Sequence, residues 1–92
     1  MRRAAKVDAN QDAIVSALEA AGASVQSLAP IGRGCPDVLA ARAGEMWLFE
    51  IKNPEGKDEV NEQQAKWHIA WNAPVYVVRS PDEALRVIGA IT

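Results

Sequence analysis

The sequence contains little sulfur, few aromatic residues and no long apolar run. Cys35 is the only cysteine among 92 residues, which excludes an internal disulfide and fits a reducing compartment. No apolar stretch approaches the roughly 20 residues that a membrane helix needs. The basic start of the chain is followed by no apolar signal segment before Asp8. These absences predict a cytoplasmic protein that does not span a membrane.

The chain also lacks the excess of positive charge that is typical of nucleic-acid-binding proteins. Its formal net charge is −2, and non-specific DNA affinity depends mainly on Lys and Arg that neutralise phosphates. Acidic groups that bind cations reverse the local sign, however, so the net charge does not exclude a DNA-binding site. The length and the 49% hydrophobic content predict a single domain over residues 1–92 with one modest core.

The pattern of apolar residues and turn signals predicts the element order α-β-β-β-α-β-α. A tight turn at Ala43-Gly44 joins two of the central strands, and such a hairpin excludes an all-parallel sheet. The sequence therefore predicts an α/β sandwich around a mixed sheet. The predicted helices cover residues 9–21, 58 or 61 to 72, and 81–88; the predicted strands cover residues 24–28, 37–41, 45–52 and 74–79.

Capping signals set the predicted ends of the helices. Asp8, with Gln11 three residues later, is expected to cap the first helix, and Gly22 to end it. The run Ser80-Pro81-Asp82-Glu83 has the residues of an N-cap, a proline at the first helical position and a glutamate at the third. It therefore predicts the start of the last helix.

Charged residues in an apolar strand provide the main functional signal. Glu50 and Lys52 follow the apolar run Met-Trp-Leu-Phe, and period-two alternation puts both on one face of a central strand. Asp37 follows Pro36 at the start of the neighbouring strand. Two carboxylates and a lysine in this arrangement are suited to hold a divalent cation beside a phosphate.

Each of these residues has a role in this hypothesis. Asp37 and Glu50 would be metal ligands, and Ile51 would add its backbone carbonyl. Lys52 would orient the attacking water or stabilise developing negative charge. The structural alternative is that Asp37 is a turn residue and that Glu50 and Lys52 form a solvated pair on an edge strand.

Two glutamines lie at the edge of apolar helix faces. Gln64 shares a face with Trp67 and Trp71, so it points inward and needs a polar partner, which the metal site would provide. Alternatively, Gln64 completes a capping box with Asn61. Gln11 shows the same pattern on the first helix, with Asp8 as its alternative partner.

Other side chains have weaker signals. Trp67 and Trp71 are expected in the core or at an interface, although base stacking is an alternative. His68 is interpreted as structural, and Cys35 has no histidine near it in sequence to activate it as a nucleophile. The candidates for phosphate contacts are Arg33, Lys57 and Lys66.

The motif Gly34-x-Pro36-Asp37, then Glu50-x-Lys52 and Gln64-x-x-Trp67-His68, resembles the VRR-NUC (virus-type replication-repair nuclease) domain of the PD-(D/E)XK nuclease superfamily. The resemblance extends over nearly the whole chain, as in the small stand-alone members of phages and prophages. It implies the restriction-endonuclease-like αβββαβ(α) sandwich with a central mixed sheet. It also implies a bacterial or phage-infected cell as the setting.

The resemblance implies a Mg²⁺- or Mn²⁺-dependent endonuclease that hydrolyses DNA. By position, Asp37 and Glu50 match the metal ligands, Lys52 the catalytic lysine and Gln64 an additional motif residue. Many superfamily members add a glutamate from the first helix, and Gln11 is the candidate here. Stand-alone members resemble Holliday-junction resolvases, so a homodimer acting on four-way DNA junctions is expected.

Two alternative functions remain open at this point. A DNA-binding or assembly module that retains the fold without turnover would explain the negative net charge and the missing helix-one glutamate. A small oligomerising protein with no nucleic-acid role would show no salt-dependent DNA binding.

Overall fold

The computed structural model describes residues 3–55 and 59–92, with side chains from residue 10 onward. In this part of the chain the element order is α-β-β-β-α-β-α, which confirms the predicted order. The elements are α1 (Arg3–Ala20), β1 (Ser24–Ser27), β2 (Val38–Arg42), β3 (Glu45–Ile51), α2 (Glu62–Ala70), β4 (Val75–Val78) and α3 (Pro81–Val87).

The strands form one mixed sheet in the order β1-β2-β3-β4. β2 is antiparallel to β1 and to β3, whereas β3 and β4 are parallel. The β2–β3 turn has φ angles of 53° at Ala43 and 83° at Gly44. Positive φ at both positions is the pattern of a type I′ turn, which matches the twist of a hairpin. The predicted hairpin and the predicted mixed α/β sandwich are both confirmed.

The two faces of the sheet differ in composition. Phe49 and Ile51 of β3 lie on the face that α1 and α3 cover, where they pack with Ile14 and Leu18 of α1. Alternation along β3 places Leu48, Glu50 and Lys52 on the opposite face. The main core and the charged residues are therefore separated by the sheet.

One arginine links the two helices that cover the core. Arg42 Nε donates to the carbonyl of Ala21, which follows α1, and its Nη1 donates to that of Ile88, which follows α3. The distances are 3.0 and 3.2 Å. Because the last carbonyls of a helix lack intrahelical partners, a guanidinium there stabilises both helix ends.

The start of the first helix differs from the prediction. α1 begins at Arg3 rather than near residue 9, and Asp8 lies inside it. The predicted N-cap at Asp8, and with it the capping pair with Gln11, is therefore wrong. Residues 3–6 are Arg-Ala-Ala-Lys, all strong helix formers, so helical propensity extends the helix past the capping signal.

The later helices begin as the capping signals predict. Ser80 is the N-cap of α3, and its hydroxyl accepts from the backbone N–H of Glu83 at 3.2 Å. Asn61 is the N-cap of α2. α2 ends at Ala70, two residues before the predicted end, because Trp71 has extended backbone angles.

Candidate active site

A short loop that approaches α2 closely positions Asp37. Gly34 has a φ of 86°, and a Cβ at this position would lie 2.6 Å from the carbonyl oxygen of Gln63 in α2. Only glycine allows both this backbone angle and this contact. Pro36 is buried behind it. The Gly-x-Pro-Asp motif thus attaches the loop to α2 immediately before the carboxylate.

Two hydrogen bonds connect Asp37 to β3. Its backbone N–H donates to the carbonyl of Phe49 at 2.9 Å, and its Oδ2 accepts from the backbone N–H of Ile51 at 2.6 Å. In a strand, the N–H and C=O of one residue point to the same side. The carbonyl of Ile51 therefore points toward Asp37, whereas Lys52 bonds to Val78 of β4 on the other side.

Glu50 is the one charged residue of the described chain that is fully buried, with 1% of its surface exposed. Burial, the charge of Asp37 and a hydrogen bond to the Asp37 carboxyl raise the pKa of Glu50 to about 8, and the charge of Lys52 lowers it in part. The carboxyl of Glu50 thus retains its proton more strongly than an exposed glutamate does. A site with this preference for added positive charge is suited to a cation.

Gln64 joins Glu50 to Lys52. Its Nε2 donates to Glu50 Oε2 at 2.9 Å, and its Oε1 accepts from Lys52 Nζ at 2.9 Å. Lys52 Nζ lies 3.9 Å from Glu50 Oε2, so the ammonium is near the carboxylate without a direct hydrogen bond.

Gln64 also completes the capping box of α2. Its Oε1 accepts from the Asn61 backbone N–H at 3.0 Å, and its own N–H donates to Asn61 Oδ1 at 2.9 Å. The sequence left two alternatives for Gln64, a polar partner at the candidate site and a capping box with Asn61. Its side chain makes both sets of hydrogen bonds.

His68 was interpreted as structural, yet it lies at this site. Its Nε2 is 3.6 Å from Glu50 Oε1, and within the described residues neither atom has a hydrogen-bond partner. Burial and the charge of Lys52 lower the pKa of His68. The sequence contained one usable signal, because His68 follows Gln64 by four residues and so shares its helix face.

Asn10, and not Gln11, connects α1 to this region. Asn10 Nδ2 donates to the carbonyl of Lys52 at 2.7 Å. Gln11 is partly exposed and makes no hydrogen bond to the described site residues. Asn10 and Gln11 both flank the buried face of α1 that Ile14 and Leu18 form, so the apolar pattern alone does not distinguish them.

Two of the three predicted phosphate contacts have exposed side chains. Arg33 is exposed in the loop before Gly34. Lys66 is exposed on α2 and pairs with Glu62 at 3.4 Å. Lys57 lies outside the described residues.

The donors at this site fit a hard cation that retains water or substrate ligands. Asp37 and Glu50 supply carboxylates, Ile51 directs a carbonyl toward them, and Glu50 Oε1 is buried without a hydrogen-bond partner in the described chain. Across residues 3–55 and 59–92, no three or more His, Cys, Asp and Glu side chains form a complete metal-binding cluster. Mg²⁺ in proteins is often held by only one or two carboxylates, with water in its other positions.

No protein-family model matches the chain, and no curated protein matches it. A solved structure described as a VRR_NUC domain matches with a TM-score of 0.72 and 28% identity, over 90% of this chain and 94% of that one. The mixed sheet with flanking helices is thus the α/β fold of a nuclease domain. The motif and the shared fold together confirm the resemblance to VRR-NUC domain proteins. No helix in the described ranges is long and apolar enough to cross a membrane.

Proposed function

We propose that this protein is a Mg²⁺- or Mn²⁺-dependent endonuclease that hydrolyses DNA phosphodiester bonds in a bacterial or phage-infected cell. The observation that carries the proposal is the pairing of Asp37 with the buried carboxyl of Glu50, whose pKa is raised to about 8, beside Lys52. A buried carboxylate next to a second carboxylate is costly unless a cation compensates it. The nuclease fold supports the same conclusion.

The proposed reaction needs ligands for a cation and a positive charge beside the phosphate. Asp37, Glu50 and the carbonyl of Ile51 would hold the cation. When bound, the cation polarises the phosphoryl group and neutralises its charge. Lys52 presents its ammonium at the same place, where it orients a water or stabilises the charge that develops on the phosphate.

Gln64 keeps these groups in position. It bonds to both Glu50 and Lys52, so it separates the two charges and prevents them from pairing directly. Glu50 then remains available to the cation, and the ammonium remains available to the phosphate. Gln64 is therefore a positioning residue.

The proposed substrate is branched DNA, with four-way junctions favoured, and the proposed assembly is a homodimer. Two copies would place two sites for paired cuts on a symmetric junction. Exposed apolar side chains, Ile69 at 85% and Val77 at 41%, support association. A monomer in sedimentation at micromolar concentration would contradict the dimer.

A cleavage panel tests the activity. Single-stranded, duplex, flap and four-way DNA are incubated with the protein in Mg²⁺ and in Mn²⁺. Cutting of the four-way DNA, abolished by the variant Lys52→Ala, is expected. Cutting of all four DNAs at equal rates would refute the junction preference but keep the nuclease.

A non-catalytic DNA-binding module is the second candidate. It is favoured by one specific observation: the α1 side chain that contacts the end of β3 is the amide of Asn10, whereas the resemblance implies a glutamate from the first helix in many superfamily members. Protein that binds four-way DNA with steep salt dependence, yet does not cut it in either metal, would favour this candidate.

A further inference from the structure

An apolar groove lies beside the candidate active site. Its volume is about 740 Å³, and most of its lining side chains are apolar or aromatic. They include Leu39, Leu48, Trp67, Trp71 and Pro74. Glu45 is the one charged residue that lines it within the described chain. A groove with this size and lining suits a flat apolar group better than a phosphate.

Two tryptophans form a stacked pair in the groove. The ring centroids of Trp67 and Trp71 are 4.7 Å apart, with 18° between the ring planes. Trp71 is 48% exposed, and α2 has no fully buried residue. The pair therefore presents aromatic surface to solvent, so among the predicted positions an interface or a base-stacking surface remains open and the core does not.

The groove lies next to the carboxylate site. Trp67 and His68 have ring centroids 6.4 Å apart, and His68 Nε2 lies 3.6 Å from Glu50 Oε1. Cys35 lines the groove two residues before Asp37. A cation held by Glu50 would bind the phosphate, and the nucleoside next to that phosphate would thus lie at the groove.

We propose that the groove binds a nucleobase that is displaced from base pairing, next to the scissile phosphate, and that this base stacks against the Trp67–Trp71 pair. The inference rests on the proposed nuclease function and names the feature of the substrate that the site selects: an unpaired nucleotide. With a net charge of −2, the chain has few phosphate contacts to supply affinity. Stacking adds affinity that depends little on base identity.

A second copy of the chain is the alternative occupant. A dimer interface is expected to include the most exposed large apolar side chain of the described chain, Ile69 at 85%, but Ile69 lies outside the lining of the groove. The groove is also concave. Concavity and the connection to the carboxylates favour the nucleobase.

The test compares two DNAs that differ in one group. Both are duplexes with one unpaired position, which carries either a base or an abasic site. Fluorescence anisotropy measures binding in Mg²⁺ to protein that carries Lys52→Ala, so that the DNA stays intact. Stacking predicts that the DNA with the base binds about 5- to 150-fold more tightly.

Two further variants assign this preference to the groove. Trp71→Ala is expected to bring the ratio close to one, and Trp71→Phe to restore it in part. Ile69→Ala, at an exposed position of the same helix outside the groove, is expected to keep the ratio. Circular dichroism confirms that each variant folds.

Three outcomes would overturn the inference. The first is equal affinity of the Lys52→Ala protein for the two DNAs. The second is an affinity ratio that Trp71→Ala leaves unchanged. The third is conversion of a dimer to a monomer by Trp71→Ala with the affinity ratio retained, which would assign the groove to a second copy of the chain. Cleavage of the same DNAs by the wild-type protein is scored separately. Cutting without base preference refutes only the groove, whereas base preference without cutting in either metal refutes only the nuclease.

Discussion

Gln64 of α2 holds the carboxylate of Glu50 on β3 through a hydrogen bond of 2.9 Å. The same side chain accepts from Lys52 and from the N-cap backbone. The start of α2 and the charged end of β3 are therefore fixed by one residue. Its removal should affect both stability and catalysis, whereas removal of the N-cap side chain should affect stability alone.

The variants Gln64→Ala and Asn61→Ala separate these effects. Asn61→Ala should lower the free energy of unfolding by about 1 kcal/mol, the usual cost of a lost N-cap, and leave cleavage nearly unchanged in the folded protein. Gln64→Ala should lose similar stability and also reduce kcat by about 10- to 100-fold, as expected when a partner of a ligand is removed. Denaturant melts and cleavage rates measure both. Equal cleavage rates for the two variants would limit Gln64 to capping.

Lys52→Ala should abolish most of the cleavage without loss of the metal response. Loss of one group that stabilises transition-state charge reduces kcat by about 10²- to 10³-fold. Asp37 and Glu50 remain, so Mn²⁺ should still raise the melting temperature, at a higher pH than in the wild-type protein because loss of the Lys52 charge raises the pKa of Glu50 further. Lys66→Ala, at a 75% exposed lysine side chain, is the matched control: as a predicted phosphate contact it should raise KM and leave kcat nearly unchanged. A loss of activity in Lys66→Ala as large as that in Lys52→Ala would argue against a specific role for Lys52.

The order of elements was predictable because it depends on local signals. The Ala43-Gly44 turn, the Ser80-Pro81 cap and the alternation along β3 each act over a few residues. The start of α1 was not predictable in this way, because the helical propensity of residues 3–6 competes with the capping signal at Asp8. Asn10 and Gln11 both flank the buried face of Ile14 and Leu18, so the pattern alone does not show which of them contacts the end of β3.

The charged residues of the candidate site and Gln64 were predictable from the sequence, but the position of His68 was not. Glu50 and Lys52 stand out because charge is rare in an apolar strand. His68 does not stand out, since its role depends on how α2 lies across the sheet, and this angle is set by tertiary packing. The contact between Gly34 and Gln63 likewise joins segments that are far apart in sequence.

Gly34→Ala should destabilise the protein more than Gly32→Ala. Both glycines have positive φ, 86° and 65°, and a Cβ at Gly32 would meet nothing within 4 Å. Gly32→Ala should therefore lower the free energy of unfolding only by the strain of a left-handed backbone, about 1 kcal/mol. Gly34→Ala adds a clash with the Gln63 carbonyl at 2.6 Å, about 1–3 kcal/mol more. Equal unfolding free energies would show that the loop does not need this close approach to α2.

The carboxylate pair predicts how stability depends on pH and on metal. The pKa of Glu50 rises from 4.5 to about 8 on folding, so the folded state binds the proton more tightly than the unfolded state does. Without metal, stability should therefore fall as the pH rises from about 4.5 to 8, by at most about 1.4 kcal/mol per pH unit. Glu50→Gln keeps the size of the side chain without the charge and should remove most of this slope.

Metal should restore the stability that is lost as the pH rises, because a bound cation replaces the proton of Glu50. Millimolar Mg²⁺ or Mn²⁺ should raise the melting temperature more at pH 8.5 than at pH 6, and binding should release a proton. Asp37→Asn should keep its hydrogen bond from the Ile51 N–H through the amide oxygen but lose the metal response. Differential scanning fluorimetry across pH measures each effect. A melting curve that no metal shifts at pH 8.5 in the wild-type protein would show that Asp37 and Glu50 do not form a cation site.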